Sequence, residues 1–229
     1  MENYLRRGVN AARFRLNRRL DRASVSRAHE VFYESDVWTR ATWLGAQALK
    51  NPLDLWVYQE IVFETRPELI VETGTYRGGS ALYLASICDL VGTGEVLSID
   101  IEPEREDYPR HPRITYFAGR SSTDPEVLAE VRERAGSGPI LVVLDSDHSA
   151  RHVAAELEAY APIVPVGCYL VVEDSNIGLI RKDLMPGPLE AVDAFLARTS
   201  EFEIDREREK FLITFNPSGY LRRVAAPPS

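Results

Sequence analysis

The stretch "LIVETGTYRGGSALYLA", Leu69 to Ala85, changes character twice. Its apolar opening predicts a strand over Leu69 to Glu72, its glycines a loop, and its alanine- and leucine-rich end a helix over Gly79 to Leu90. Working outward, further strands are expected at Glu95 to Ile99, Ile114 to Ala118, Ile140 to Leu144 and Cys168 to Asp174. Helices are expected at Pro125 to Ala135, Ala150 to Tyr160 and Pro188 to Arg198. Apolar strands alternating with helices make a doubly wound, mostly parallel α/β sheet covered on both faces. "FEIDRE" and "KFLITFNPSGYLRR" alternate in polarity around an "NPSG" turn, so an antiparallel pair is expected to close the sheet. Upstream, Thr42 to Glu64 has a helical pattern with a break at Pro52.

The 229 residues, 45% of them apolar, suffice for one sizeable core. A net charge of −8 gives no electrostatic reason to bind nucleic acid. Cys88 and Cys168 lie in apolar stretches and read as reduced core residues, and no apolar run approaches the roughly 20 residues of a membrane span. A soluble, cytoplasmic protein is expected. Residues 1–41 form a separate N-terminal arm whose first part is rich in arginine, with Leu5, Val9, Ala12, Leu16 and Leu20 at helical spacing. It is expected to pack on a neighbouring subunit or on the acidic body of residues 42–229; the alternative is a membrane surface or acidic partner.

Ligands of a doubly wound sheet bind beyond the carboxyl ends of its strands, where Gly74, Gly78 and Gly79 fall. Their spacing matches neither a Walker loop nor G-x-G-x-x-G, which disfavours a nicotinamide-dependent oxidoreductase. Asp100, ending the next strand, can accept hydrogen bonds from both hydroxyls of a ribose. Glu72, a carboxylate at the end of an apolar strand, needs a partner, which a ligand amine would supply.

"LVVLDSDHS" and "LVVEDSN" end neighbouring strands, so Asp145, Asp147, Glu173 and Asp174 gather at one rim. Converging carboxylates repel unless a cation joins them, and hard oxygen ligands suit magnesium. The first ligand is Asp145, which ends its strand, or Asp147, which could instead cap the following helix; position favours Asp145. His148 on the same rim could take a proton from a substrate hydroxyl, with His152 one turn later as neighbour or substitute.

These segments, with "TWLGAQALKNPLDLWVYQE", resemble from about Thr42 to about Arg222 the family that groups cephalosporin hydroxylase-like proteins with rhamnosyl O-methyltransferases of antibiotic biosynthesis. The E-x-G-x-Y-x-G-x-S pattern also resembles the first motif of catechol-type, magnesium-dependent O-methyltransferases. The resemblance implies a Rossmann-like class I methyltransferase fold with a seven-stranded sheet, and a homo-oligomer. It implies S-adenosylmethionine held by Glu72, Gly74, Tyr76, Gly78, Gly79 and Ser80, with Asp100 on the ribose and Asp145 beside both cofactor and metal. It further implies Mg2+ on Asp145, Glu173 and Asp174, and His148 as the general base. The acceptor implied is a sugar hydroxyl of a natural-product glycoside or nucleotide sugar, such as a rhamnose. Asn176 to Pro188 is expected to cover it. Competing expectations are tailoring of a β-lactam or other non-sugar acceptor, and a non-catalytic cofactor-binding partner.

Overall fold

A computed structural model describes residues 22–226; the arginine-rich segment before Arg22 and the last three residues lie outside them. The elements in chain order are α1 (Arg22–Glu34), β1 (Thr42–Trp43), β2 (Ala46–Gln47), α2 (Pro52–Thr65), β3 (Leu69–Thr73), α3 (Gly79–Val91), β4 (Glu95–Asp100) and β5 (Ile114–Ala118). There follow α4 (Pro125–Ala135), β6 (Ile140–Leu144), α5 (Ala150–Tyr160), β7 (Tyr169–Val172), α6 (Ile177–Ile180), α7 (Pro188–Leu196), β8 (Phe202–Ile204) and β9 (Tyr220–Arg223). Among the described residues, no helix is long and apolar enough to cross a membrane.

The main sheet has seven strands in the order β5-β4-β3-β6-β7-β9-β8. The first five are mutually parallel, and β9 runs antiparallel to both β7 and β8. Every residue of β3, β6 and β7 is buried, as continuous apolar strands between two helical layers must be. One apolar layer joins the sheet to α4, α5 and α7 through residues such as Val131, Leu157 and Val192. The other joins it to α2 and α3 through Tyr58, Ile61 and Leu84. Chain direction across the sheet reverses at β3, so a crevice opens beyond β3, β4 and β6.

Two expected elements are corrected. The segment before Pro52 is not helical: β1 and β2 form a two-residue hairpin whose turn residues, Leu44 and Gly45, both have positive φ. Pro52 starts a helix instead of breaking one, since its missing N–H costs nothing at the first helical position, and the Asn51 side chain accepts from Leu53 N at 3.1 Å. In "KFLITFNPSGYLRR" only the final "YLRR" forms ladder pairs. The preceding residues serve as packing loop, with Phe215 buried and its N–H donated to Asp54 at 2.8 Å. Cys88 and Cys168 are both buried free thiols.

Candidate active site

Gly74 leaves β3 at φ +93, and a Cβ there would collide with the backbone carbonyl of Asp145. Glycine is therefore required for the β3 and β6 ends to meet. Asp145 N donates to Thr73 O at 3.0 Å across those ends, and Gly74 N donates to Ile99 O of β4 at 2.7 Å. Gly79 answers a different need: a Cβ would run into the backbone of Gln47, so β2 closes against the start of α3.

A cleft of about 840 Å³ opens over these ends. Gly74, Tyr76, Asp100 and Asp145 line it, together with Ser122, Ser146, Asp147, His148 and His152. Glu72, Gly78, Gly79 and Ser80 lie among the buried residues behind it. Asp100 closes the glycine loop, accepting from Thr75 N at 2.8 Å and Tyr76 N at 3.0 Å through Oδ2, and from Glu102 N at 2.9 Å through Oδ1. A carboxylate offers about four acceptor positions, so room for a further donor remains.

Glu72 is fully buried. Its Oε2 accepts from Ser98 Oγ at 2.8 Å, while Oε1 has no hydrogen-bond partner. Burial pushes its carboxyl up to about 7, against the pull of the Lys50 ammonium.

At the rim, Asp145, His148 and Asp174 each offer one ligand atom, all within 4.8 Å of one another. His148 Nε2 stands 3.2 Å from Asp174 Oδ2 and 3.4 Å from Asp145 Oδ1. Burial opposes protonation of the imidazole, but its hydrogen bond to Asp145 and the two negative charges outweigh this, pushing it up to about 9. The two carboxylates bias the imidazole towards its protonated form. Asp174 holds φ +54, a conformation asparagine and aspartate tolerate better than other side chains. Its N–H donates to Oδ1 of the buried Asn216 at 3.1 Å.

Glu173 faces the interior. Its Oε1 accepts from Tyr58 OH, and its Oε2 lies 2.8 Å from Lys50 Nζ, which also pairs with Asp145 Oδ2. Burial pushes the Glu173 carboxyl up to about 8, opposed by Lys50. Asp147 stays outside the cluster, accepting from Ser149 N at 2.7 Å, while Ser149 itself caps α5. His152 belongs to another group, 3.4 Å from the buried Glu156 and 3.3 Å from Ser122 Oγ.

Sequence reasoning assigned no role to Lys50, Tyr58 or Asn216. Lys50 did leave a signal: of 27 lysines and arginines only Lys50, Lys182 and Lys210 are lysine, and a compact ammonium readily serves two carboxylates at once. Tyr58 and Asn216 left none, because both meet the site only through tertiary contacts.

The family profile described as "Rhamnosyl O-methyltransferase/CmcI" matches residues 35–224. The curated "Rhamnosyl O-methyltransferase" of Mycobacterium tuberculosis (strain ATCC 25618 / H37Rv) is 40% identical over 204 residues, covering 85% of this chain and 83% of that protein. Its counterpart in Mycobacterium leprae (strain TN) is 37% identical over 204 residues, covering 85% and 88%. The solved structure described as "CmcI-N160 apo-structure" has a TM-score of 0.65 at 27% identity, over 82% of this chain and 78% of that one. The one described as "cmcI-D160 Mg-SAM" has a TM-score of 0.63 at 24% identity over the same shares, a likeness of fold. The match of the family profile and of sequence over most of the chain, together with the fold, makes this chain a member of the Rhamnosyl O-methyltransferase/CmcI family.

Proposed function

We propose that this chain is an S-adenosylmethionine- and Mg2+-dependent O-methyltransferase acting on a sugar hydroxyl, such as one of a rhamnose, in a glycoside or nucleotide sugar. The observation that carries the reading is the meeting of Asp145, Asp174 and His148 at the mouth of the cleft, in a chain 40% identical to proteins named for rhamnosyl methylation.

The residues fit both groups. The cleft lies within the roughly 300–1,000 Å³ of small-molecule sites. Gly74 lets the backbone come close, Asp100 retains acceptor capacity for a ribose, and the orphaned Glu72 Oε1 is a buried acceptor behind the loop. Asp145 and Asp174 offer hard oxygen atoms suited to Mg2+, whereas Glu173, the third carboxylate expected to hold it, is turned inward with its oxygens on Tyr58 and Lys50. When bound, the two groups supply an electrophilic methyl and a Lewis acid that acidifies the acceptor hydroxyl.

This chain's residues do the rest. Asp145 and Asp174 would hold the ion, and they set the basicity of His148 beside them. His148 Nε2, held between the two carboxylates, would take the proton of the acceptor hydroxyl. The segment from Asn176 to Pro188, whose Pro186 O accepts from Ala150 N at 3.2 Å, is the segment proposed to cover the acceptor.

Calorimetric titration with S-adenosylmethionine and with NADH, each with and without Mg2+, tests the reading. Binding of S-adenosylmethionine alone is expected, and its failure to bind the folded, ligand-free protein would overturn the function. His148→Ala is expected to slow single-turnover methyl transfer roughly 100-fold or more while leaving S-adenosylmethionine binding intact.

A further inference from the structure

Lys50 is a buried cation placed directly beneath the carboxylates proposed to hold the metal. Its side chain is 4% exposed. Its ammonium pairs with Asp145 Oδ2 and, at 2.8 Å, with Glu173 Oε2. The chain delivers it from the turn just before α2, whose start is held by Asn51. One Asp145 oxygen thus faces Lys50 and the other faces His148.

Asp145 is partly and Glu173 almost wholly buried, and two such carboxylates side by side without a cation would repel or take up protons. We propose that Lys50 is a placeholder cation: its ammonium neutralises Asp145 and Glu173 in the metal-free protein and competes with the divalent ion for them. The proposal rests on the metal-dependent reading above and makes Lys50 a positioning residue, since it acts through Asp145 and Glu173. It implies a site that stays folded when empty and binds its ion reversibly, at a cost in affinity.

Removing the positive charge should therefore tighten metal binding, the reverse of what losing a supporting contact does. The ammonium and the ion share the Asp145 carboxylate, so even water-like screening of their repulsion corresponds to about tenfold in affinity. The test is titration of the full chain with Mn2+, followed by electron paramagnetic resonance, for the wild type, Lys50→Met and Lys50→Arg, with thermal denaturation in parallel. Lys50→Met is expected to bind Mn2+ at least about tenfold more tightly than wild type. It should also gain more thermal stability from the ion, because an ion bound only by the folded state stabilises in proportion to its affinity. Lys50→Arg, which keeps the charge, should stay within a few-fold of wild type.

Equal or weaker Mn2+ binding by Lys50→Met overturns the proposal. So does a Lys50→Met protein that remains unfolded both with and without millimolar Mn2+, which would make Lys50 a structural residue only. Wild-type binding of Mn2+ with no gain in Lys50→Met removes the placeholder role alone, whereas failure of every variant to bind Mn2+ removes the metal-dependent reading as well.

Discussion

At Gly74 a single missing Cβ decides whether the site can exist. The residue combines φ +93 with contact against the Asp145 carbonyl, so any side chain meets both backbone strain and a fixed neighbour. Gly74→Ala is expected to cost about 2 kcal/mol or more and to weaken Mn2+ binding by displacing Asp145, as urea denaturation and metal titration would measure. The acidic residues were legible at this scale because a parallel strand announces its carboxyl end, and whatever follows lands on the rim. Asp145, Asp174 and His148 gather there for that reason. Glu173 follows the same strand, but alternation turns it inward to Lys50 and Tyr58.

At the scale of elements, α2 links the site to the antiparallel edge of the sheet. Asp54, in its first turn, accepts from Phe215 N at 2.8 Å and from Tyr220 OH at 2.9 Å. Burial pushes its carboxyl up to about 6 from an ordinary 3.8, so the folded state holds the proton more tightly than the unfolded chain does. This group's contribution is therefore most favourable below pH 4 and is lost as pH rises towards 6, the whole penalty being about 3 kcal/mol. Asp54→Asn removes that titration. Its stability relative to wild type should rise by about that amount between pH 4 and pH 7, as denaturant unfolding at a series of pH values would record. The hairpin ahead of α2 was misread because Trp43, Leu44 and the residues after them carry a helical apolar spacing. Its turn puts Leu44 at φ +48, where asparagine or glycine is the usual marker.

Across the whole molecule, Phe215 is the point where distant segments converge. Rings of His29, Phe32, Tyr33 and Trp38 all lie within 6.0 Å of its ring, and His29 also pairs with Asn176 at 2.9 Å, next to the rim that carries Asp174. Phe215→Ala is expected to cost about 3–5 kcal/mol and to raise amide exchange across Arg22 to Glu34 before the sheet is affected. Exchange that rose uniformly over the chain would contradict this anchoring of α1.

The order of strands and helices, the parallel sheet with its antiparallel close, and the rim carrying Asp100, Asp145, Asp174 and His148 were determined by the sequence alone. Each follows from local patterning: continuous apolar runs, glycine breaks and the position of a residue at a strand end. Tertiary structure decided the rest. It brought Lys50 and Tyr58 from before and within α2 to Glu173, set Asn216 beneath Asp174, and turned the glycines into close-packed contacts as much as ligand-facing ones. Those partners are remote along the chain, and a buried charge is paired by whatever the fold delivers to it, which no local pattern records.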